Sequence, residues 1–170
     1  MTEKKQVLYD LFMSYSGPFK VEDFYGEVEN WIRENGFEKE PKKKLEHVTK
    51  SGRKIEWLIE AQNHLDDLHH GVVVLRVLMD NVREVTVKKD GKKIRIDNGD
   101  VFLNVDGFIQ AHVHGSFYQV KPVYYFIRAL IDKYIYKFHS WKYDGVVDAA
   151  GRDLFKRTQS FFKLQKYKYE

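Results

Sequence analysis

The chain has 170 residues, 43% of them hydrophobic and 32% charged, with a formal net charge of +4. That balance lies far from the low-hydrophobicity, high-charge regime of disordered chains, and the length supports one core, so a single α+β domain spanning residues 1–170 is expected. The absence of cysteine excludes a disulfide framework, a thiolate nucleophile and any Cys-based zinc or iron–sulfur site.

The opening residues MTEKKQ lack the apolar stretch of a secretory signal. Val7 to Tyr15 alternates Val7, Tyr9, Leu11, Met13 and Tyr15, which reads as a strand, and Ser16-Gly17-Pro18 breaks it before the next element. Val21, Phe24, Tyr25, Val28, Trp31 and Ile32 share one face at spacings of three and four, predicting a helix over Val21 to Asn35. Glu22 and Asp23 suit its positive first turn, and Gly36 suits its C-terminal cap.

Lys43 to Lys50 pairs across Ser51-Gly52 with a strand in which Ile55, Trp57, Ile59 and Ala61 alternate with Glu56, Glu60 and Gln62. Gly71 to Met79 is a nearly continuous apolar run interrupted only by Arg76, as a central strand covered on both faces would be. Asp90-Gly91 and Asn98-Gly99 are both dipeptides favoured in tight hairpin turns, so residues 82–113 are expected to form a three-stranded meander. The first turn pairs Val87 with Ile94 and Val85 with Ile96; the second would pair Ile96 with Val101 and Ile94 with Leu103. In the last strand Val105, Gly107, Ile109, Ala111 and Val113 face inward, while Phe102, Asn104, Asp106, Phe108, Gln110, His112 and His114 face the other way.

Two C-terminal helices follow, one striped by Val123, Phe126, Ile127, Leu130, Ile131, Tyr134 and Phe138, the other by Val147, Ala150, Leu154, Thr158, Phe161, Phe162 and Gln165. Asp144-Gly145 is expected to break them apart. Asp132, Lys133 and Lys137 interrupt the most apolar stretch too early for a spanning helix, so no membrane span and a cytoplasmic location are expected. The fold class is therefore a curved antiparallel sheet of six to seven strands packed against an N-terminal helix and two C-terminal helices.

In its order of elements over about residues 6–165 the chain resembles the START-like helix-grip proteins, which wrap an antiparallel sheet around a long C-terminal helix. It departs from them in offering one helix instead of two short ones after the first strand, and two helices instead of one at the end. The resemblance implies an apolar small molecule held between sheet and C-terminal helix. Its lining would be Trp57, Ile59, Val85, Val87, Ile94, Ile96, Leu103 and Ile109 from the sheet, with Leu154, Phe161 and Phe162 from the helix. The same residues also satisfy a simple packed core.

Other chemistry is sparser. His64, Asp66, Asp67, His69 and His70 crowd one loop, where a carboxylate, Asp66 or Asp67, could orient His69 or His70 for acid–base work, although a solvated polar loop joining two strands is the simpler account. His112 and His114 could chelate a metal if a third ligand approached, but no zinc-motif spacing accompanies them. No nucleophile elbow, phosphate-binding loop or dinucleotide fingerprint is present, and no cofactor is expected; the sequence favours a binding protein over an enzyme.

Residues 1–40 hold 5 basic and 9 acidic groups, residues 121–170 hold 11 and 5. The basic, aromatic-rich C-terminal part, with Lys142, Arg152, Lys156, Arg157, Lys163 and Lys166, suits nucleic acid as the alternative partner, unless it lies against the acidic N-terminal part of the same fold. A protein-interaction subunit without a ligand makes no distinctive demand on the sequence.

Overall fold

The computed structural model describes residues 2–112 and 137–169. Among them the chain forms β1 (Thr2–Phe19), α1 (Val21–Glu34), β2 (Glu38–Thr49), β3 (Gly52–His64), β4 (His69–Lys89), β5 (Lys92–His112) and α2 (Lys137–Tyr169). The strands make one antiparallel sheet in the order β1-β5-β4-β3-β2. The described fold is thus α+β with five strands and two helices, where the sequence suggests six to seven strands; most of the first expected C-terminal helix lies outside the described residues.

The strand count falls because the Gly71–Met79 run continues into residues 82–89 as one strand, β4, and because residues 82–112 do not fold back twice. Asp90 and Gly91 turn the chain as expected, with φ of 50° and 76°, and Val87 faces Ile94 and Val85 faces Ile96. Asn98 and Gly99 instead lie inside β5, which runs on to pair Val101 with Met79 and Leu103 with Val77. The expected partners Ile96–Val101 and Ile94–Leu103 therefore share one strand. Gly99 serves a different purpose here: β4 carries a bulge between Asp80 and Arg83, with Asn81 at φ 52°, that presses onto β5. A Cβ on Gly99 would sit 2.9 Å from the Asp80 carbonyl oxygen and 3.0 Å from the Val82 Cα. Glycine is needed for the approach of a neighbouring backbone, and the same residue pair mimics a turn signal.

The expected break at Asp144-Gly145 is likewise absent. α2 runs through it for 33 residues, and nothing lies within 4 Å of a Cβ built on the exposed Gly145. In a long helix whose inner face is held by packing, one glycine costs about 1 kcal/mol and does not end it. The apolar stripe from Val123 to Tyr134 lies outside the described residues.

Other elements follow their patterns. α1 buries Val21, Phe24, Val28, Trp31 and Ile32, and Gly36 just beyond it takes φ 68°. β1 is a strand, though two register shifts between Gln6 and Leu11 change its parity, so that Leu8 is buried and Tyr9 is 67% exposed. The Gly71–Met79 run buries Val72, Val73, Val74, Leu75, Val77 and Met79, spanning both faces of β4.

α2 packs across β1, β5 and β4 and against α1. This inner face holds one cluster containing Leu8, Phe24, Trp31, Trp57, Leu103, Val105, Leu154 and Phe162. Glycines bring helix and sheet together: a Cβ on Gly107 would meet the Val147 Cγ1 at 3.1 Å, one on Gly71 the Val147 Cγ2 at 2.9 Å, and one on Gly151 the Leu8 Cδ2 at 2.3 Å, while Gly107 also makes room for the Leu8 Cβ of the neighbouring strand at 2.9 Å. Two polar clamps fix α1 to α2. The Trp31 indole donates to Asp153 at 2.8 Å, and the Arg157 guanidinium reaches Glu27 and Glu34, each at 2.5 Å. These two hydrogen-bonded carboxylates raise the pKa of Arg157 further above its ordinary value.

Candidate ligand-binding site

Six of the eleven residues expected to line an inner cavity lie in or against one packed cluster. Trp57, Ile59, Leu103, Leu154 and Phe162 belong to the buried cluster, with Phe161 against it. Phe162 lies 5.2 Å from the ring of Phe24 and 4.8 Å from that of Tyr15, and Phe24 lies 6.1 Å from Trp57 in an edge arrangement. Ile96 and Ile109 are buried beyond that cluster, whereas Val85, Val87 and Ile94 are partly buried toward the β4–β5 turn.

The face turned away from α2 carries a concavity that sequence reasoning missed. The pairing sets Phe12, Asn104, Arg76, Leu58 and Lys43 side by side across β1, β5, β4, β3 and β2. The next row is Ser14, Phe102, Leu78, Glu56 and Leu45. Together they make an apolar depression of about 400 Å³, in which Phe12, Leu58, Leu78 and Phe102 supply the apolar side chains and Lys43, Glu56, Arg76 and Asn104 the polar ones. Phe12 is 58% exposed and Phe102 40%. No periodicity announces the site, because each strand contributes only one or two residues to it and only the register assembles them.

One end of the depression is held by a polar network. Asp106, buried on this face, accepts from the Asp10 amide at 2.8 Å, from Gln6 Nε2 at 3.1 Å and from Arg76. Asn104 receives Arg76 at 3.1 Å and itself donates to Asp10. The carboxylate thus stabilises the irregular segment of β1 and fixes Arg76 at the edge of the apolar patch. Lys43 meets Glu56 at 2.5 Å, which holds the Glu56 carboxyl below its ordinary pKa through that hydrogen bond and the lysine's charge.

A second depression, of about 480 Å³, lies between the start of α1 and the sheet and is mostly polar, with Tyr25, Lys44, Glu46, Arg53, Arg95 and Asp97 among its lining residues. Arg53 bonds Asp97 at 2.6 Å and Glu46 at 3.1 Å, and Lys44 lies 4.2 Å from the Tyr25 ring centroid. Its charges are largely matched to one another.

The His/Asp loop assembles part of the constellation its sequence suggests. Asp66 Oδ1 accepts the amides of Leu68 and His69 at 2.8 and 2.7 Å and lies 2.9 Å from His69 Nδ1, while Oδ2 accepts the Tyr143 hydroxyl at 2.9 Å. Burial opposes ionisation of this carboxyl, but the donors from Leu68, His69 and Tyr143 outweigh it and bring its pKa down to about 2. His69 is 5% exposed and faces α2, whereas the rings of His64 and His70 lie 4.3 Å apart and tilted by 57° on the opposite face of the sheet. Neither depression is lined by this cluster. Its geometry ties the β3–β4 turn to α2.

No group of three His, Asp or Glu able to hold a metal occurs among the described residues. His112 is described only as the end of β5, and His114 lies outside the described residues. Of the basic residues assigned to an anionic partner, Arg157 is engaged with α1 and Arg152 with Asp148 at 2.8 Å, while Lys142, Lys156, Lys163 and Lys166 are exposed. No helix among the described residues is long and apolar enough to cross a membrane.

Comparison with known proteins yields no match to any family model, curated protein or solved structure. The class is therefore defined by the fold alone: an α+β protein in which the described residues form one five-stranded antiparallel sheet carrying two helices.

Proposed function

We propose that this is a binding protein that holds an apolar small molecule, and that the molecule lies on the outer face of the sheet and not between sheet and helix. The observation that carries this reading is the exposure of Phe12 and Phe102 around a depression floored by Leu58 and Leu78. Its volume, about 400 Å³, falls within the range of small-molecule sites, and its few polar groups are held in place by partners as specificity-giving groups are. On the inner face Trp57, Ile59, Leu103, Leu154 and Phe162 already belong to one packed cluster with Phe161 against it, so a ligand among them would have to displace packed side chains.

Titration with an apolar fluorescent probe such as anilinonaphthalene sulfonate tests the placement. The native protein should enhance its emission, and the Phe12→Ser/Phe102→Ser variant should weaken binding at least tenfold. Phe12 is 58% and Phe102 40% exposed, so a modest fall in melting temperature is expected, and circular dichroism should show that the variant still folds. Equal binding by both proteins would refute the outer-face site.

A further inference from the structure

The β4–β5 turn and the C-terminal turn of α2 are both rich in lysine, and the structure places them together. Residues 88–93 contain four lysines and residues 163–169 three, against the single carboxylate of Asp90 within those segments. Lys89 Nζ donates to the Lys168 carbonyl at 2.8 Å, and the ammonium groups of Lys89 and Lys168 lie 5.9 and 5.3 Å from the ring centroid of Tyr169. The helix's negative end accounts for one lysine there and not for the rest. Lys88, Lys92, Lys93, Lys163 and Lys168 are exposed, and Tyr167 is 87% exposed among them. Like charges gathered this way repel one another unless an anionic partner neutralises them.

We infer that this surface binds single-stranded nucleic acid, with Lys92, Lys93 and Lys163 on the phosphates and Tyr167 stacked against a base. Cations interleaved with a solvated aromatic ring are what such strands require. A lipid surface fits less well, because the turn residues 88–93 include no apolar side chain and Leu164 is the one strongly exposed aliphatic residue of the neighbouring helical turns. The site is separate from the apolar depression and does not depend on it.

Fluorescence anisotropy of a labelled 15-residue oligouridylate tests the assignment. With about three phosphates neutralised, raising salt from about 50 to 200 mM should weaken binding about 20-fold. Lys92→Glu/Lys93→Glu should weaken it at least tenfold and flatten the salt dependence, whereas Tyr167→Ala should cost about fivefold or more with the salt dependence unchanged. All three positions are exposed, and circular dichroism should confirm that both variants fold. Absence of salt-dependent binding, indifference to the lysine variant, indifference to Tyr167→Ala, or preference for phosphatidylserine vesicles would each overturn the inference.

Discussion

Where α2 crosses β1 and β5, the contact distance is set by residues that have no side chain. Leu8 fills the space that a Cβ on Gly151 or Gly107 would occupy, so either alanine substitution overpacks a buried site. Each should cost about 1–3 kcal/mol in urea denaturation. Leu8→Ala should itself be destabilising, yet combined with Gly151→Ala it should cost less than the sum, because the second change fills the space left by the first. Strict additivity would show that the two side chains do not compete. Asp66 offers a pH test at the same scale. Its carboxyl is held at about 2 against an ordinary 3.8, so its stabilisation is fully present above pH 3.8 and is lost as pH falls toward about 2, where the unfolded chain takes up the proton first. Asp66→Asn should remove that part of the acid sensitivity, about 1 kcal/mol after allowance for partial exposure, as read from melting temperatures between pH 2 and 5.

At the scale of elements, α1, the Asp90-Gly91 hairpin and the β2–β3 pairing were legible because each is a local pattern in which periodicity and turn chemistry agree. Asn98-Gly99 misleads for a physical reason: glycine serves equally for a positive φ and for close backbone approach, and only the bulge at Asn81 on the neighbouring strand decides between them. Gly99→Val should therefore destabilise by more than about 2 kcal/mol, while Asn81→Gly, at φ 52°, should be neutral or slightly stabilising. The reverse ranking would contradict the bulge. Asp144-Gly145 misleads likewise, since packing of the inner stripe carries the helix through it. The joint between α1 and α2 depends on Arg157, whose forked contact with two carboxylates a lysine cannot reproduce. Arg157→Ala should lower stability by about 1–3 kcal/mol, and Arg157→Lys should recover only part of it.

For the whole molecule, the inner face was read correctly as apolar, and the structure fills it with the chain's own rings. The outer depression was illegible because alternation in a strand marks a face without saying which residues of five strands meet. Arg76 stood out only as the lone charge in an apolar run; the register shows it bound to Asp106 beside Leu78 and Phe102. Among the described residues both helices lie on one side of the sheet, and on the other face the exposed rings of Phe12 and Phe102 border one depression.

Native mass spectrometry of the purified protein beside its Phe12→Ser/Phe102→Ser variant tests that reading most directly, each first exposed to the same panel of apolar small molecules. The account predicts an adduct on the wild-type chain that survives gentle ionisation, disappears on denaturation and is absent from the variant. An adduct carried equally by both proteins would place the ligand elsewhere and contradict the account.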